Sequence, residues 1–383
     1  MRLHVEPTRR RGARGRARLR VIVAGGALLL GVVLAIRGDK AEPLRERSAD
    51  YVYSPAFSPD GRTLAVQWVR EDGSGLDLEL ITVADGGAVA SATQPWQPFP
   101  WGNPLRDNTM SPDGSRILVQ RRLPVSQQPE GTTGHRLMAY DVSEEKWHVV
   151  LADADINSID TPWSPEGERL LATCYSHDPE GWLPVLTILD LKGAVRHPLL
   201  KRPGRPFGST GWAARWSPDG QSVHALDQEW RIVTLAPGRK PVKSKYVIED
   251  PHIARFSPDC HRIAWIRKPQ SGTQDELWVL DLATGRKTRL LSPAQLKAES
   301  VGPWFAWSPD GDFIATIAHR PVGDSLCVVD TETGDARERG WGGTWVFTDV
   351  AWSPDGQQLA IVGGEGTTAK DFHSAVWVVE PPQ

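Results

Sequence analysis

Cysteine is scarce in this chain, with three residues in 383, which excludes a disulfide-stapled scaffold and a thiolate metal cluster of the usual kind. Methionine is equally scarce. Catalytic signatures are missing as well. No His-Glu-x-x-His, P-loop or dinucleotide fingerprint occurs, and no Gly-x-Ser-x-Gly elbow. The ten histidines are scattered, with no two at i, i+4. No apolar run reaches the length of about 20 that a full membrane span needs. The longest, Val21 to Ile36, has 16 uncharged residues and is closed by Arg37.

Other residue types are abundant. Tryptophan stands at 17, and glycine and proline at 36 and 31, which points to many turns. Hydrophobic residues at 40% and charged residues at 24% give a globular composition. The net charge of −3 hides two unlike parts. Residues 1–40 carry ten basic residues and two acids, or +8, which leaves 34 basic and 45 acidic residues, or −11, for the rest. An acidic body argues against nucleic acid as a partner, because phosphate binding needs a basic face.

The arginines of residues 1–20 stand directly against the apolar run 21–36, which reads as a topology signal. The run fits a membrane anchor or a signal segment, and no small-residue pair before Arg37 marks a cleavage site. An uncleaved anchor is the favoured reading, with a cleaved signal as the alternative. Either places the body outside the cytoplasm, periplasmic or at the cell surface; an inverted anchor is opposed by the arginine bias. Residues 37–50 are polar and read as a linker.

One tetrapeptide dominates residues 51–383. It stands at Ser58-Pro-Asp-Gly61, Ser111-Pro-Asp-Gly114, Ser164-Pro-Glu-Gly167, Ser217-Pro-Asp-Gly220, Ser257-Pro-Asp-Cys260, Ser308-Pro-Asp-Gly311 and Ser353-Pro-Asp-Gly356. A large apolar residue precedes each serine, and an apolar run such as Leu64-Ala-Val66 follows the turn. Proline presets φ, glycine accepts a positive φ, and the acid bonds turn amides. About 20 residues later comes a second pattern, as in Glu276-Leu-Trp-Val-Leu-Asp-Leu-Ala-Thr-Gly285. Four strands per unit of about 48 residues, seven times over, is a seven-bladed β-propeller. The last unit offers three strands only. A fourth borrowed from residues 42–50, whose β-propensity is poor, and a three-stranded final blade are both open.

These repeats resemble the TolB-type, WD-like propeller family over the whole body. That family implies a partner-binding role in the cell envelope. Three departures stand out: seven motifs against the usual six, no counterpart of the separate amino-terminal domain of TolB, and Cys260 in place of glycine. Similar propellers also precede the hydrolase domain of prolyl-oligopeptidase-type peptidases, but no elbow follows here.

The seven turn acids, Asp60, Asp113, Glu166, Asp219, Asp259, Asp310 and Asp355, are expected to close their own turns. Asp153, Asp155, Asn157 and Asp160 resemble the start of a calcium loop, but Ser158 stands where glycine is needed. Cys260, in a turn, is expected near the surface. The candidate binding face is the one opposite the turns, where loops carry Trp96, Trp101, Arg205, Phe207, Trp212, Trp304, Phe305, Trp341 and Trp345. Aromatics beside arginine suit binding surfaces, and packing between blades is the competing role for each.

The expectation is an all-β, seven-bladed β-propeller of four-stranded blades, preceded by one amino-terminal hydrophobic helix. It is a membrane-tethered, non-enzymatic protein-binding or scaffolding module, with no catalytic residue, metal or cofactor and with protein partners in the cell envelope. The alternative is a propeller enzyme, or a carbohydrate- or peptide-binding protein, using an aromatic-lined central funnel. Asp107, Glu229, Asp349 and His252 would be its polar groups.

Overall fold

The computed structural model describes residues 42–382, apart from 49, 71–74, 96–109, 124–125, 127, 129–133, 157–158, 179–180, 193–194, 202–212, 268–274, 342 and 367–372. The expected amino-terminal helix and the apolar run 21–36 lie outside these residues. Among the described residues no helix is long and apolar enough to cross a membrane. The protein is an all-β propeller of seven blades.

Blade 1 holds β2 (Asp50–Phe57), β3 (Thr63–Arg70), β4 (Gly75–Thr82) and β5 (Ala88–Pro95), and blade 2 holds β6 (Arg116–Arg122), β7 (His135–Asp141) and β8 (Lys146–Ala152). In blade 2 Met110 pairs with Ile117 at the inner position. Blade 3 holds β9 (Ala154–Asp155), β10 (Arg169–Asp178), β11 (Gly181–Asp190) and β12 (Arg196–Lys201). Blade 4 holds β13 (Arg215–Trp216), β14 (Val223–Leu226), β15 (Arg231–Leu235) and β16 (Val242–Val247). Blade 5 holds β17 (Pro251–Phe256), β18 (Arg262–Arg267), β19 (Glu276–Asp281) and β20 (Lys287–Leu291). A one-turn helix, α1 (Pro293–Leu296), leads to blade 6: β21 (Ser300–Trp307), β22 (Phe313–His319), β23 (Ser325–Asp330) and β24 (Ala336–Gly340). Blade 7 holds β25 (Val346–Trp352), β26 (Leu359–Glu365) and β27 (His373–Val379), with β1 (Arg45–Ser48) as its outer strand.

Burial explains the strand sequences. The second strand of a blade is covered on both faces by neighbouring blades, so it reads as a continuous apolar run, such as Leu64, Ala65 and Val66 or Ile361 and Val362. Outer strands are more exposed and several are polar; β24 is Ala-Arg-Glu-Arg-Gly. The apolar clusters therefore lie between blades. One joins Val66 and Trp68 of blade 1 to Val362 and Val376 of blade 7. Others join Phe256 and Ile263 of blade 5 to Leu226 and Ile232 of blade 4, and Phe347 and Trp377 of blade 7 to Ile317 and Leu326 of blade 6. Trp68, Trp265 and Trp377 are fully buried there, and truncating any one to alanine costs about 3–5 kcal/mol.

The ring closes through β1, which pairs antiparallel with β27 at Arg45↔Val376 through Ser48↔His373. Four of the residues read as a linker are thus a strand. Their propensity is poor, and charge holds them instead. On the blade-1 side of β1, Arg45 Nη2 donates to Glu79 Oε1 at 2.6 Å. Arg47 donates to Glu79 Oε2 and to Asp77 Oδ2, both at 3.1 Å. The Arg47 guanidinium also lies 4.7 Å from the centre of the Trp68 ring. Gly86, at φ +70°, has to be glycine, because a Cβ there would stand 2.1 Å from the Leu44 carbonyl oxygen.

Candidate functional site

The two ends of the propeller differ. At one end lie the seven Ser-Pro-Asp-Gly-type turns. In each, the fourth residue donates its N–H to the serine carbonyl, as Gly61 does to Ser58 at 2.8 Å. The serine hydroxyl accepts the N–H five residues on and, in six turns, donates to the aspartate, as Ser58 does to Asp60 at 2.6 Å. The same carboxylate oxygen takes the N–H two residues on. The hydroxyl and then the amide hold Asp60, Asp113, Asp219 and Asp355 below the ordinary carboxylate value. Glu166, one methylene longer, instead bonds Arg169 at 2.6 Å. Each acid thus serves its own turn. Among the described residues no group of three or more histidine, cysteine or carboxylate side chains is placed to hold a metal ion.

The turns also touch one another. A Cβ added at Gly114 would stand 3.4 Å from Pro59, one at Gly220 3.3 Å from Pro165, and one at Gly61 3.8 Å from Pro354. This contact explains Cys260, which was expected near the surface but is 3% exposed. Its thiol lies 3.4 Å from the Trp216 carbonyl of the preceding blade, and burial pushes the thiol up to about 11. The residue keeps the glycine-like φ of +61°.

Blade 3 departs from the others near the axis. Ile159 pairs with Ala214 along the free edge of the inner strand of blade 4. The Asp160 N–H donates to the Ala214 carbonyl, and the Asp160 carboxylate accepts the Phe256 N–H of blade 5 at 3.1 Å. Asp160, one of the calcium-like residues, thus ties three blades together.

The opposite end carries two histidine–carboxylate pairs, at blades 6 and 7. His319 ends β22, and Asp324 stands in the loop before β23. His319 Nδ1 is 2.8 Å from Asp324 Oδ2. The same oxygen accepts the Phe347 N–H at 2.9 Å, and the Asp324 N–H donates to the Trp345 carbonyl at 3.0 Å. In blade 7 the cross-strand pair Glu365 and His373 meets at 3.2 Å. The Trp345 ring stands edge-on to His373 and to Trp377, with centroids 5.5 and 4.6 Å apart. Around them Val322 is 79% and Val346 55% exposed. A β-bulge in β21 between Val301 and Phe305 takes Gly302 to Trp304 out of regular pairing.

Of the nine expected binding residues, Trp96, Trp101, Arg205, Phe207 and Trp212 lie outside the described residues. Trp304 and Trp345 are half-buried at this end. Phe305 and Trp341 are buried, within the clusters between blades 5 and 6 and between blades 6 and 7. Of the proposed polar groups, Asp107 lies outside the described residues. Glu229 stands in the tight turn of blade 4, His252 in β17 and Asp349 in β25, so they sit on three blades. The two histidine–carboxylate pairs went unread in the sequence. The signal that finds them is a histidine and an acid at the two ends of one strand-to-strand loop.

No family model matches the chain. Dipeptidyl-peptidase 5 of Porphyromonas gingivalis is 27% identical over 139 residues, which is 32% of this chain and 20% of the relative's length. The acylaminoacyl peptidase of Pyrococcus horikoshii superposes with a TM-score of 0.58 at 15% identity, over 86% of this chain and 51% of that one. The propeller domain of the trilobed protease of Pyrococcus furiosus gives 0.56 at 13% identity, over 86% and 97%. The two structures show the propeller fold, and the match to a dipeptidyl-peptidase overturns the expectation that the chain is not an enzyme. That expectation rested on missing contiguous motifs. Loops of separate blades converge without leaving one, as His319 and His373 illustrate.

Proposed function

We propose that this protein is a propeller of a peptidase-type enzyme and that it engages peptides at the loop end of blades 6 and 7. The observation that carries this reading is the grouping there of half-buried Trp304 and Trp345, exposed Val322 and Val346, and two histidine–carboxylate pairs. An apolar floor with few fixed polar groups is the usual make-up of a small-ligand site. The match to a dipeptidyl-peptidase supports a peptide as the ligand class. The basic tail and the run 21–36 belong to the same proposal as a membrane tether, with the propeller extracytoplasmic and in contact with protein partners of the cell envelope.

The test is calorimetric titration of the full chain with Val-Ala-p-nitroanilide, alongside an assay for p-nitroaniline release. Saturable binding that Trp345→Ala weakens, in a variant that stays folded at the assay temperature, is the expected result. A wild-type protein that binds no probe at millimolar concentration ends the peptide reading.

A further inference from the structure

We propose that His319 is the polar anchor of this site: its Nε2 accepts a hydrogen bond from a ligand N–H, and Asp324 is the residue that positions it. The proposal rests on the peptide reading above. A neutral imidazole carries one N–H and one lone pair, and the partner of one nitrogen decides the role of the other. Here the partner is a carboxylate whose side chain is 3% exposed. Its Oδ2 takes the backbone N–H of Phe347 as well as facing Nδ1. An ionised carboxylate is an acceptor only, so the imidazole proton sits on Nδ1 and the lone pair on Nε2.

Nε2 lies beside Gly302, where an added Cβ would stand 3.2 Å from it, so a larger residue would crowd the ring. The His319 side chain is 28% exposed, reachable yet not bathed in solvent. The bulge that carries Gly302 also carries Trp304, and on the other side Asp324 is bonded to the Trp345 backbone. An acceptor thus stands near the segments that carry two half-buried indoles, beside the Arg320–Glu338 and Glu365–His373 pairs. Four other described histidines differ: His373 meets Glu365 through Nε2, His135 is buried against Gln120, His224 is half-buried between blades, and His261 lies in a turn at the far end. The ligand chemistry that fits is a secondary amide or amine N–H flanked by an apolar side chain, as a peptide backbone presents.

The experiment uses the full chain and three variants, His319→Leu, His319→Gln and Asp324→Ala. Ring-nitrogen NMR at pH 8 reads the His319 tautomer, and calorimetry reads binding of Val-Ala-p-nitroanilide. The expected results are an unprotonated Nε2 in the wild type and binding about tenfold weaker in His319→Leu. His319→Gln, which keeps an acceptor, should bind within about twofold of wild type on the same argument. Asp324→Ala, which removes the oxygen facing Nδ1, should free the proton to move to Nε2 and weaken binding as the leucine does. A protonated Nε2 in the wild type, or a folded His319→Leu that binds as tightly as wild type, overturns the anchor and leaves the peptide reading standing. A wild type that does not bind the probe overturns both.

Discussion

Arg45, in the outer strand of the last blade, holds the carboxylate of Glu79 in the first blade at 2.6 Å, and Glu79 is buried to 2% side-chain exposure. With Arg47 on its other oxygen, Glu79 is the point at which the two ends of the ring are ionically joined. Losing both partners strands a buried charge, which is the costly way to break an ion pair.

The double variant Arg45→Ala, Arg47→Ala should therefore lose about 2–4 kcal/mol, the lower part of that range reflecting the partial exposure of both arginines. Urea unfolding of the full chain measures it. Glu46→Ala, on the exposed side of the same strand, should stay within about 0.5 kcal/mol. Equal effects of the two would mean that charge does not hold the strand.

The turn aspartates make the fold acid-sensitive in a defined window. Asp60, Asp113, Asp219 and Asp355 have folded values lowered from 3.8, first by the seryl O–H and then by a backbone N–H. Their contribution is present above that unfolded value and is lost as pH falls through the lowered folded one. Stability measured from pH 5 downward should drop below about pH 4. An aspartate-to-asparagine change at one turn should make the slope shallower.

His224 acts in the neighbouring window. Burial, and then His261 nearby, lower its value from 6.5, against an opposing pull from Asp219. The unfolded chain then binds the proton more readily, so stability falls as pH drops below 6.5 toward the folded value. His224→Phe, which can pack against Phe256 as the imidazole does, should flatten the curve below about pH 6.5. An unchanged slope would remove His224 as its source.

The thiols should be silent. All three cysteines are buried, and burial pushes Cys260 up to about 11 and Cys327 up to about 12. The thiolate is the reactive form. A disulfide-exchange reagent at pH 8 should label none in the native protein and three after denaturation. Rapid native labelling of one thiol would show that its turn or strand opens easily.

The blade count was legible because each turn is completed by residues within five positions of one another. Ser58, Asp60 and Thr63 need nothing from the rest of the chain to make their bonds. The closing strand was not, because Arg-Glu-Arg-Ser has no strand character of its own. What makes it a strand is a pair of acids about 30 residues away and the edge of β27 more than 300 residues away. Cys260 misled for a similar reason: a turn faces water unless the next turn covers it. The candidate site was half legible. Aromatics in Gly- and Pro-rich loops pointed to the end proposed here as the binding face, and of the four described, Phe305 and Trp341 are buried between blades. The histidines escaped because they are paired across loops and not along a helix.

The contact of Gly61 with Pro354 repeats, between the last turn and the first, what each turn does with the next. On that end the ring has no seam. The one place where the order of the chain is felt is the outer edge of blade 7, where β1 meets β27. A circular permutant with its new ends between two strands of another blade would keep every turn-to-turn contact and move the join elsewhere. The place of the join is in that sense independent of the ring, and the Arg45–Glu79 bridge belongs to the join.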